Sequence, residues 1–486
     1  MFVAPPSNTT KSYRLLIQIT RKMLQSHYIN ILIFLAGTFV SLVFFEFFRN
    51  GINHKHSQLM YVPEERYLQV IDEFTTISRR NPSQLSNGGG FGLNDDDGSY
   101  EREANTKEAL GSLKLAQEMK ASGKDDKAMK LFEHAFALAP KNPEVLVKYG
   151  EYLEHNRRDI LTADQFYFQA LTINPSNSEA LANRQRTASI VQTIDERRLQ
   201  TLDIKRDALS AIHEANSALR RAKKEAYFQH IYHSVGIEGN TMTLAQTRSI
   251  LETRMAIDGK SIDEHNEILG LDLAMKYINA SLVNKMEITL KDIMEIHRRV
   301  LGHVDPIEGG EFRRTQVYVG GHTPPGPGDL SILMRRFEGW LNSGDTMSLH
   351  PIKHAALAHY KLVHIHPFID GNGRTSRLLM NTMLMRAGYP PVIIPKQQRH
   401  KYYHFLQLAN EGDIRPFIRF IADCTEKTLD LYLWATSDLP QQIPMLEQTD
   451  FIGDNSKPSQ TQFANNNDND IDQSGSGNSE QNNSSF

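Results

Sequence analysis

The chain has 486 residues, 40% of them hydrophobic, which allows two or three folded units joined by linkers rather than one compact core. A formal net charge of -3 excludes a whole-protein attraction to nucleic acid, so no nucleic-acid partner is expected. A single cysteine, Cys424, excludes an intrachain disulfide and a cysteine-rich metal site.

The first element in chain order is apolar. From Met23 to Phe45 there is no Asp, Glu, Lys or Arg, and residues 31–45 read ILIFLAGTFVSLVFF. A run of this length can cross the ~30 Å hydrocarbon core as one helix, expected over residues 28–48. It ends in Phe44, Phe45, Phe47 and Phe48, whereas a cleaved signal peptide ends in small residues, so the reading is a retained anchor. Lys11, Arg14, Arg21 and Lys22 precede it without an acid. The positive-inside rule then keeps residues 1–27 cytosolic and puts the body after Arg49 on the far side of the membrane.

Residues 49–105 read as a polar stalk followed by a Gly/Asn/Asp linker (NPSQLSNGGGFGLNDDDGSY) with no periodicity, expected to be disordered. Residues 106–182 contain an internal repeat: Ala128, Phe132, Ala135 and Pro140 recur 35 positions later as Ala163, Tyr167, Ala170 and Pro175. Small residues let helices approach, the aromatic fills the gap and the proline ends the helix. The pattern resembles two tetratricopeptide-like units, whose period is ~34 residues, with one residue inserted near Arg157-Arg158-Asp159. Residues 183–233 read as a linker helix that caps them.

Residues 241–436 carry apolar residues at helical spacing, as in Ile293, Ile296 and Val300, and read as a mainly helical domain. Arg314 to His322 alternates like a strand, reaches Gly320-Gly321 and is followed by Pro324-Pro325-Gly326, which predicts a short β-hairpin flap. Residues 437–486 are rich in Asn, Ser and Asp and are expected to be a disordered tail.

The chemistry gathers at residues 366–377, HPFIDGNGRTSR. Residues 351–365 and 375–387 read as two helices, with Asp370-Gly371-Asn372-Gly373-Arg374 as the loop between them. Two glycines there let backbone N–H groups turn toward an anion, and a helix N-terminus adds its dipole. Arg374 and Arg377 share a helical face and can clamp further phosphates. Asp370 is a hard oxygen ligand suited to Mg²⁺ bridging phosphate oxygens. His366 sits at the mouth, where a neutral imidazole can take a hydroxyl proton. Singly, each piece is a turn, a solvated arginine or a structural histidine; in order between two helices they define a site.

The string resembles the signature of the Fic family, HPFxxGNGRxxR, at every fixed position. That resemblance implies that His366 deprotonates a Ser, Thr or Tyr hydroxyl of a target protein, which attacks the α-phosphate of ATP. It assigns a Mg²⁺ or Mn²⁺ ion to Asp370 and the nucleotide phosphates to Gly371, Asn372, Gly373, Arg374, Thr375, Ser376 and Arg377. Ser234-Val235-Gly236-Ile237-Glu238-Gly239-Asn240 resembles the family's inhibitory motif, carried here by Ser234, Glu238 and Gly239. A bidentate Glu238–Arg377 pair would remove the clamp needed by the γ-phosphate.

By the same resemblance the flap aligns a target strand by strand addition. Val319, Gly320, Gly321 and His322 then lie nearest the nucleotide, with Tyr402 and Asn410 against the adenosine.

The order of anchor, repeats, linker helix, inhibitory motif (234–240) and Fic core resembles the metazoan Fic-domain protein adenylyltransferases, the HYPE/FICD family. This implies an endoplasmic reticulum membrane protein with a lumenal body, the chaperone BiP as target, a homodimer through the Fic core, and removal as well as addition of AMP, with Glu238 positioning the attacking water. The sequon Asn279-Ala280-Ser281 fits a lumenal body. A second reading is a membrane-tethered tetratricopeptide adaptor whose Fic core is silenced by Glu238.

Overall fold

The computed structural model describes residues 97–437. The apolar run at 28–48, the stalk and the tail after 437 lie outside the described residues. No helix among the described residues is long and apolar enough to cross a membrane.

The first helix, α1 (Asp97–Ala121), already includes Asp97-Gly98-Ser99-Tyr100, the end of the stretch expected to be disordered. Extending a nucleated helix adds one hydrogen bond per residue ordered. It packs against α2 (Asp125–Leu138), and α3 (Pro143–Tyr152) packs against α4 (Ile160–Ile173), giving two helical hairpins. Asn142 caps α3 by accepting from Glu144 and Val145 N–H, and Pro143 starts the helix.

The repeated positions are the buried ones: Ala128, Phe132 and Ala135 in one hairpin, Ala163, Tyr167 and Ala170 in the other. Phe132 stacks on Tyr152 with ring centroids 4.6 Å apart. Gly150 faces the Tyr167 ring so closely that a Cβ would collide with it. The residue inserted between the repeats is absorbed by a π-helical turn, Leu153–Arg157, closed by Arg158 in the left-handed conformation.

The linker is not one helix. It is α5 (Ser178–Ser210) and α6 (Ser217–Ile237), separated by a turn. Asn216 ends the turn by capping α6 through Ala218 and Leu219 N–H, a start signal inside what reads as continuous helix.

There follow α7 (Leu244–Thr253), α8 (Ile262–Tyr277), α9 (Leu290–Leu301), α10 (Leu330–Leu341), the single turn α11 (Gly344–Met347), α12 (Pro351–Ile365), α13 (Asn372–Arg386), α14 (Arg399–Asn410) and α15 (Arg415–Thr436). Thr243, Ser261 and Thr289 start α7, α8 and α9 with capping boxes. The pair α12/α13 forms the centre. Ile352, Ala355, Ala356, Leu357 and Ala358 are buried on one helix and every residue from Arg374 to Leu384 on the other, as expected of helices covered on all sides.

The long α5 runs along α15 and ties the hairpins to this centre through charge. Arg419 grips Asp195 with two bonds of 2.8 Å, and Lys205 reaches Glu426 and Asp430. Arg415 joins Asp413 of its own segment to Asp164 of α4.

The predicted hairpin is a correction. Among the described residues there is no strand, and Val319 and His322 make one isolated antiparallel bridge across Gly320-Gly321. Both glycines have positive φ, as the tight turn requires. Pro324 and Pro325 carry no N–H, so a ladder cannot continue past the bridge. Gln316 and Arg313 side chains take the Pro324 and Pro325 carbonyls instead.

Phe132→Ala should destabilise the hairpin unit by about 3–5 kcal/mol, as for other fully buried aromatics. Urea unfolding of the full chain should show a transition of the hairpins moved to lower denaturant while that of the α12/α13 centre stays in place.

Candidate active site

Helix α12 ends where Leu362 accepts the N–H of His366, whose backbone is left-handed (φ 50°). Such a conformation is unfavourable for a residue with a Cβ and persists only where its surroundings impose it. Nδ1 of His366 lies 3.2 Å from the Val363 carbonyl, so the ring proton belongs on Nδ1 and the Nε2 lone pair is left as acceptor. Burial pulls the imidazole pKa down to about 4, which keeps it neutral near pH 7.

The next helix begins three residues earlier than expected, at Asn372, with Gly371 (φ 75°) before it. The anion loop is therefore itself the first turn of α13, whose leading N–H groups have no intrahelical acceptor. Asn372 differs from the sequence expectation. Its side chain accepts from Phe368 N–H (3.0 Å) and donates to Phe368 C=O (2.8 Å), closing the loop from within instead of projecting toward a phosphate. Thr375 and Ser376 are fully buried on the inner face of this turn.

His297, on α9, is a site residue that sequence reading missed. Its Nδ1 accepts from Gly310 N–H, its Nε2–H donates to the Asp370 carbonyl, both at 2.9 Å, and its ring stacks on Phe368 at 3.6 Å. A Cβ on Gly371 would press against that ring.

Both clamp arginines are buried and already held. Arg374 donates to Asp370 at 2.7 Å and to Glu267 at 3.1 Å, and Glu267 also accepts from Asn240. Arg377 donates from Nε to Ser234 Oγ (3.0 Å), and from Nη2 to the Ser234 carbonyl (2.8 Å) and to Glu238 Oε1 (2.7 Å). Burial alone would lower the Arg377 pKa; the Glu238 carboxylate reverses this and holds it above the usual arginine value.

Glu238 follows the last residue of α6, so the helix end aims it at the loop. It lies over Gly373, where a Cβ would have to displace its carboxylate. Arg399 fixes the same helix end by donating to the Ile237 carbonyl at 2.6 Å. Gly239 turns the chain away with φ 109°.

On the opposite rim, the turn at 319–322 leans on the end of α12: His322 Nε2–H donates to the His364 carbonyl at 2.9 Å and the two rings lie 4.2 Å apart. Val319 is half-buried and the two glycines are exposed. Asn410 accepts at 3.2 Å from Tyr360 and faces His364 Nδ1 at the same distance, at the edge of this wall.

Tyr402 faces the interior. It is 1% exposed, its hydroxyl pairs with His359 Nε2 at 2.9 Å, and its ring lies 5.9 Å from the Arg377 guanidinium. Its neighbour Tyr403 is the exposed one, with its hydroxyl 3.3 Å from Glu238 Oε2. A register one residue off places Tyr403, not Tyr402, on the open side.

Among the described residues, no group of three or more His, Cys, Asp or Glu could hold a metal ion alone. Asp370, with a 64% exposed carboxylate beside the helix N-terminus, fits the one-ligand role in which phosphates and water supply the remaining oxygens. Asn279 lies in an exposed turn after α8.

A neutral acceptor imidazole facing a helix N-terminus with two buried arginines is the layout of an enzyme that moves phosphate esters. Residues 287–384 match the Fic/DOC family. The protein adenylyltransferase Fic of Drosophila virilis is 72% identical over 441 residues, covering 90% of this chain and 91% of that one. The protein of the same name from Drosophila melanogaster is 72% identical over 423 residues, covering 86% of each. A solved fragment of Fic-1 from C. elegans is 45% identical with TM-score 0.63, covering 67% of this chain and 97% of that one. The chain belongs to the metazoan Fic protein adenylyltransferases.

Seven histidines, His230, His233, His297, His354, His359, His364 and His366, have their pKa pulled by burial to about 4 or, for His359, about 3. Below about pH 6.5 the unfolded chain binds protons at these sites that the folded chain does not, so stability falls as pH falls. Thermal melts should therefore drop between about pH 6.5 and about pH 4, with the midpoint nearly constant from about pH 7 to 8.

Proposed function

We propose that the chain transfers AMP from ATP to a hydroxyl of a protein target and removes it again at the same site, the direction being set by the Glu238–Arg377 pair. The 2.7 Å contact between these two carries the reading, because it occupies the guanidinium that a terminal phosphate would need.

In the forward step the target oxygen attacks the α-phosphorus while its proton passes to His366 Nε2. The bond from that phosphorus to the bridging oxygen breaks, and pyrophosphate leaves. The first-turn amides of α13 hold the phosphate oxygens, and Arg374 and Arg377 receive the outer groups once Asp370 and Glu238 have let go. A Mg²⁺ or Mn²⁺ ion at Asp370 would neutralise phosphate charge when bound. In the reverse step water attacks the phosphodiester phosphorus and gives a proton to the Glu238 carboxylate, the target oxygen departs with the Nε2 proton of the imidazolium form of His366, and AMP is released, the proton on Glu238 returning to His366 through solvent. Glu238, above Gly373, is placed to orient that water.

The exposed backbone of residues 314–323 is the surface for a target segment. Val319, Gly320, Gly321 and His322 on that rim and Asn410 on the wall bound the space for the nucleoside. Tyr402 supports Arg377 from behind, and Tyr403 takes the open position. The helical hairpins are read as tetratricopeptide-like. The remaining parts of the reading rest on family resemblance and the apolar N-terminal run: an endoplasmic reticulum membrane anchor, a lumenal body with Asn279 available for glycosylation, a homodimer, and BiP as the target.

Glu238→Gly should raise label transfer from ATP to BiP by at least about 10-fold and abolish AMP release from BiP modified beforehand. Adding His366→Ala should remove about 100-fold or more of the transfer, the scale of a lost general base. Absence of His366-dependent label in Glu238→Gly would leave the silenced adaptor as the better reading. AMP release that persists without Glu238 would reject its role toward water.

The pH profile tests the base. Transfer needs neutral His366, and its pKa lies at about 4. The rate of Glu238→Gly should stay level from about pH 7.5 down to about 5.5, whereas an ordinary imidazole would lose half its rate near 6.5.

A further inference from the structure

Arg313 is a buried cation without a counter-ion. It lies in the segment between α9 and the 314–325 loop and is 2% exposed. Among the described residues no carboxylate comes within ion-pair distance of it. Its acceptors are all backbone carbonyls: His366 from Nε at 2.7 Å, Thr315 from Nη1 at 2.8 Å, and Pro325 from Nη2. Its own N–H donates to the Pro367 carbonyl at 2.9 Å. Burying a charge against dipoles alone is costly, and burial lowers its pKa accordingly. Structural stability could be had from an apolar side chain of similar volume. What an apolar residue could not do is hold three separate chain segments on one rigid plane.

Those three segments are significant. Thr315 and Pro325 are the two stems of the loop that ends in the 319–322 turn, and they lack the strand ladder that would otherwise fix their spacing. His366 is the base, in a left-handed conformation that its surroundings must impose. Arg313 is thus the link between the rim where a target segment would lie and the atom that would take its proton.

We propose that Arg313 is a positioning residue for AMP transfer, setting the distance between a target segment on the 314–323 backbone and Nε2 of His366. This rests on the transfer reading above. It places little demand on ATP binding, because the phosphate loop is held separately by His297 and Asn372, and the 319–322 turn that bounds the nucleoside space keeps its own anchor from His322 to the His364 carbonyl.

The test compares Arg313→Gln and Arg313→Lys, each in full-length Glu238→Gly protein. With BiP as substrate, Arg313→Gln should lower kcat on the order of 100-fold, the scale of a misplacement of about 1 Å. ATP affinity by titration calorimetry should stay within about twofold. Arg313→Lys keeps the charge but cannot span both stems, so its kcat should fall between the two. An unchanged kcat, or ATP affinity lost in parallel with it, would overturn the proposal.

A second measurement needs no activity and so separates this proposal from the transfer reading. Amide hydrogen exchange over residues 315–323 should be faster in Arg313→Gln, with α13 protected as before. Exchange unchanged in that loop would overturn the proposal even if BiP is never modified.

Discussion

One buried guanidinium organises the site. Arg377 lies inside α13 and must find acceptors there, since a charge left unpaired in the interior costs several kcal/mol. Ser234 and Glu238 supply them from the last turn of α6, so that helix has to end at the mouth of the phosphate loop. The rest follows from this demand. Arg399 fixes the end of α6, Tyr402 and His359 back the guanidinium, and a Cβ at position 373 would push the Glu238 carboxylate from its place beside Arg377.

The second constraint is neutrality. A histidine can accept a proton only while its ring is uncharged. Burial achieves this for His366, and the Val363 carbonyl settles which nitrogen stays free. His297 shows the same principle in a structural role. Held neutral, it has one donor and one acceptor, and it uses both, on Asp370 and Gly310, to brace the loop from beneath.

Charge plays a different part at the junction with the helical hairpins. There Asp164, Asp195, Glu426 and Asp430 meet Arg415, Arg419 and Lys205 along α5 and α15. Buried ion pairs add little net stability over apolar contacts, but they penalise any register in which a partner is lost. The hairpins are thereby tied in one orientation to α15, which packs on α12 and α6.

The helical class, the repeat with its inserted residue and the loop chemistry were all legible from local pattern. Repeated small and aromatic positions can only mean shared burial, and a HPFIDGNGRTSR string carries its own spacing. The break at residues 211–216 was written in the sequence too, as the Asn216 cap, but a cap inside a helical pattern is weak evidence until packing selects it. Other features were not local at all. Which of Tyr402 and Tyr403 faces the open side depends on the rotation of α14 against its neighbours. That Asn372 closes its own loop, that Glu267 holds Arg374, and that His297 and Arg313 belong to the site depends on contacts spanning tens of residues or more. By itself the sequence determined the Fic signature at residues 366–377 and singled out Glu238 and Arg377 as a pair. Only tertiary structure decided which side chains stay open at the loop and which are taken up in its frame, because that division depends on helix rotation and on long-range hydrogen bonds that no local periodicity encodes.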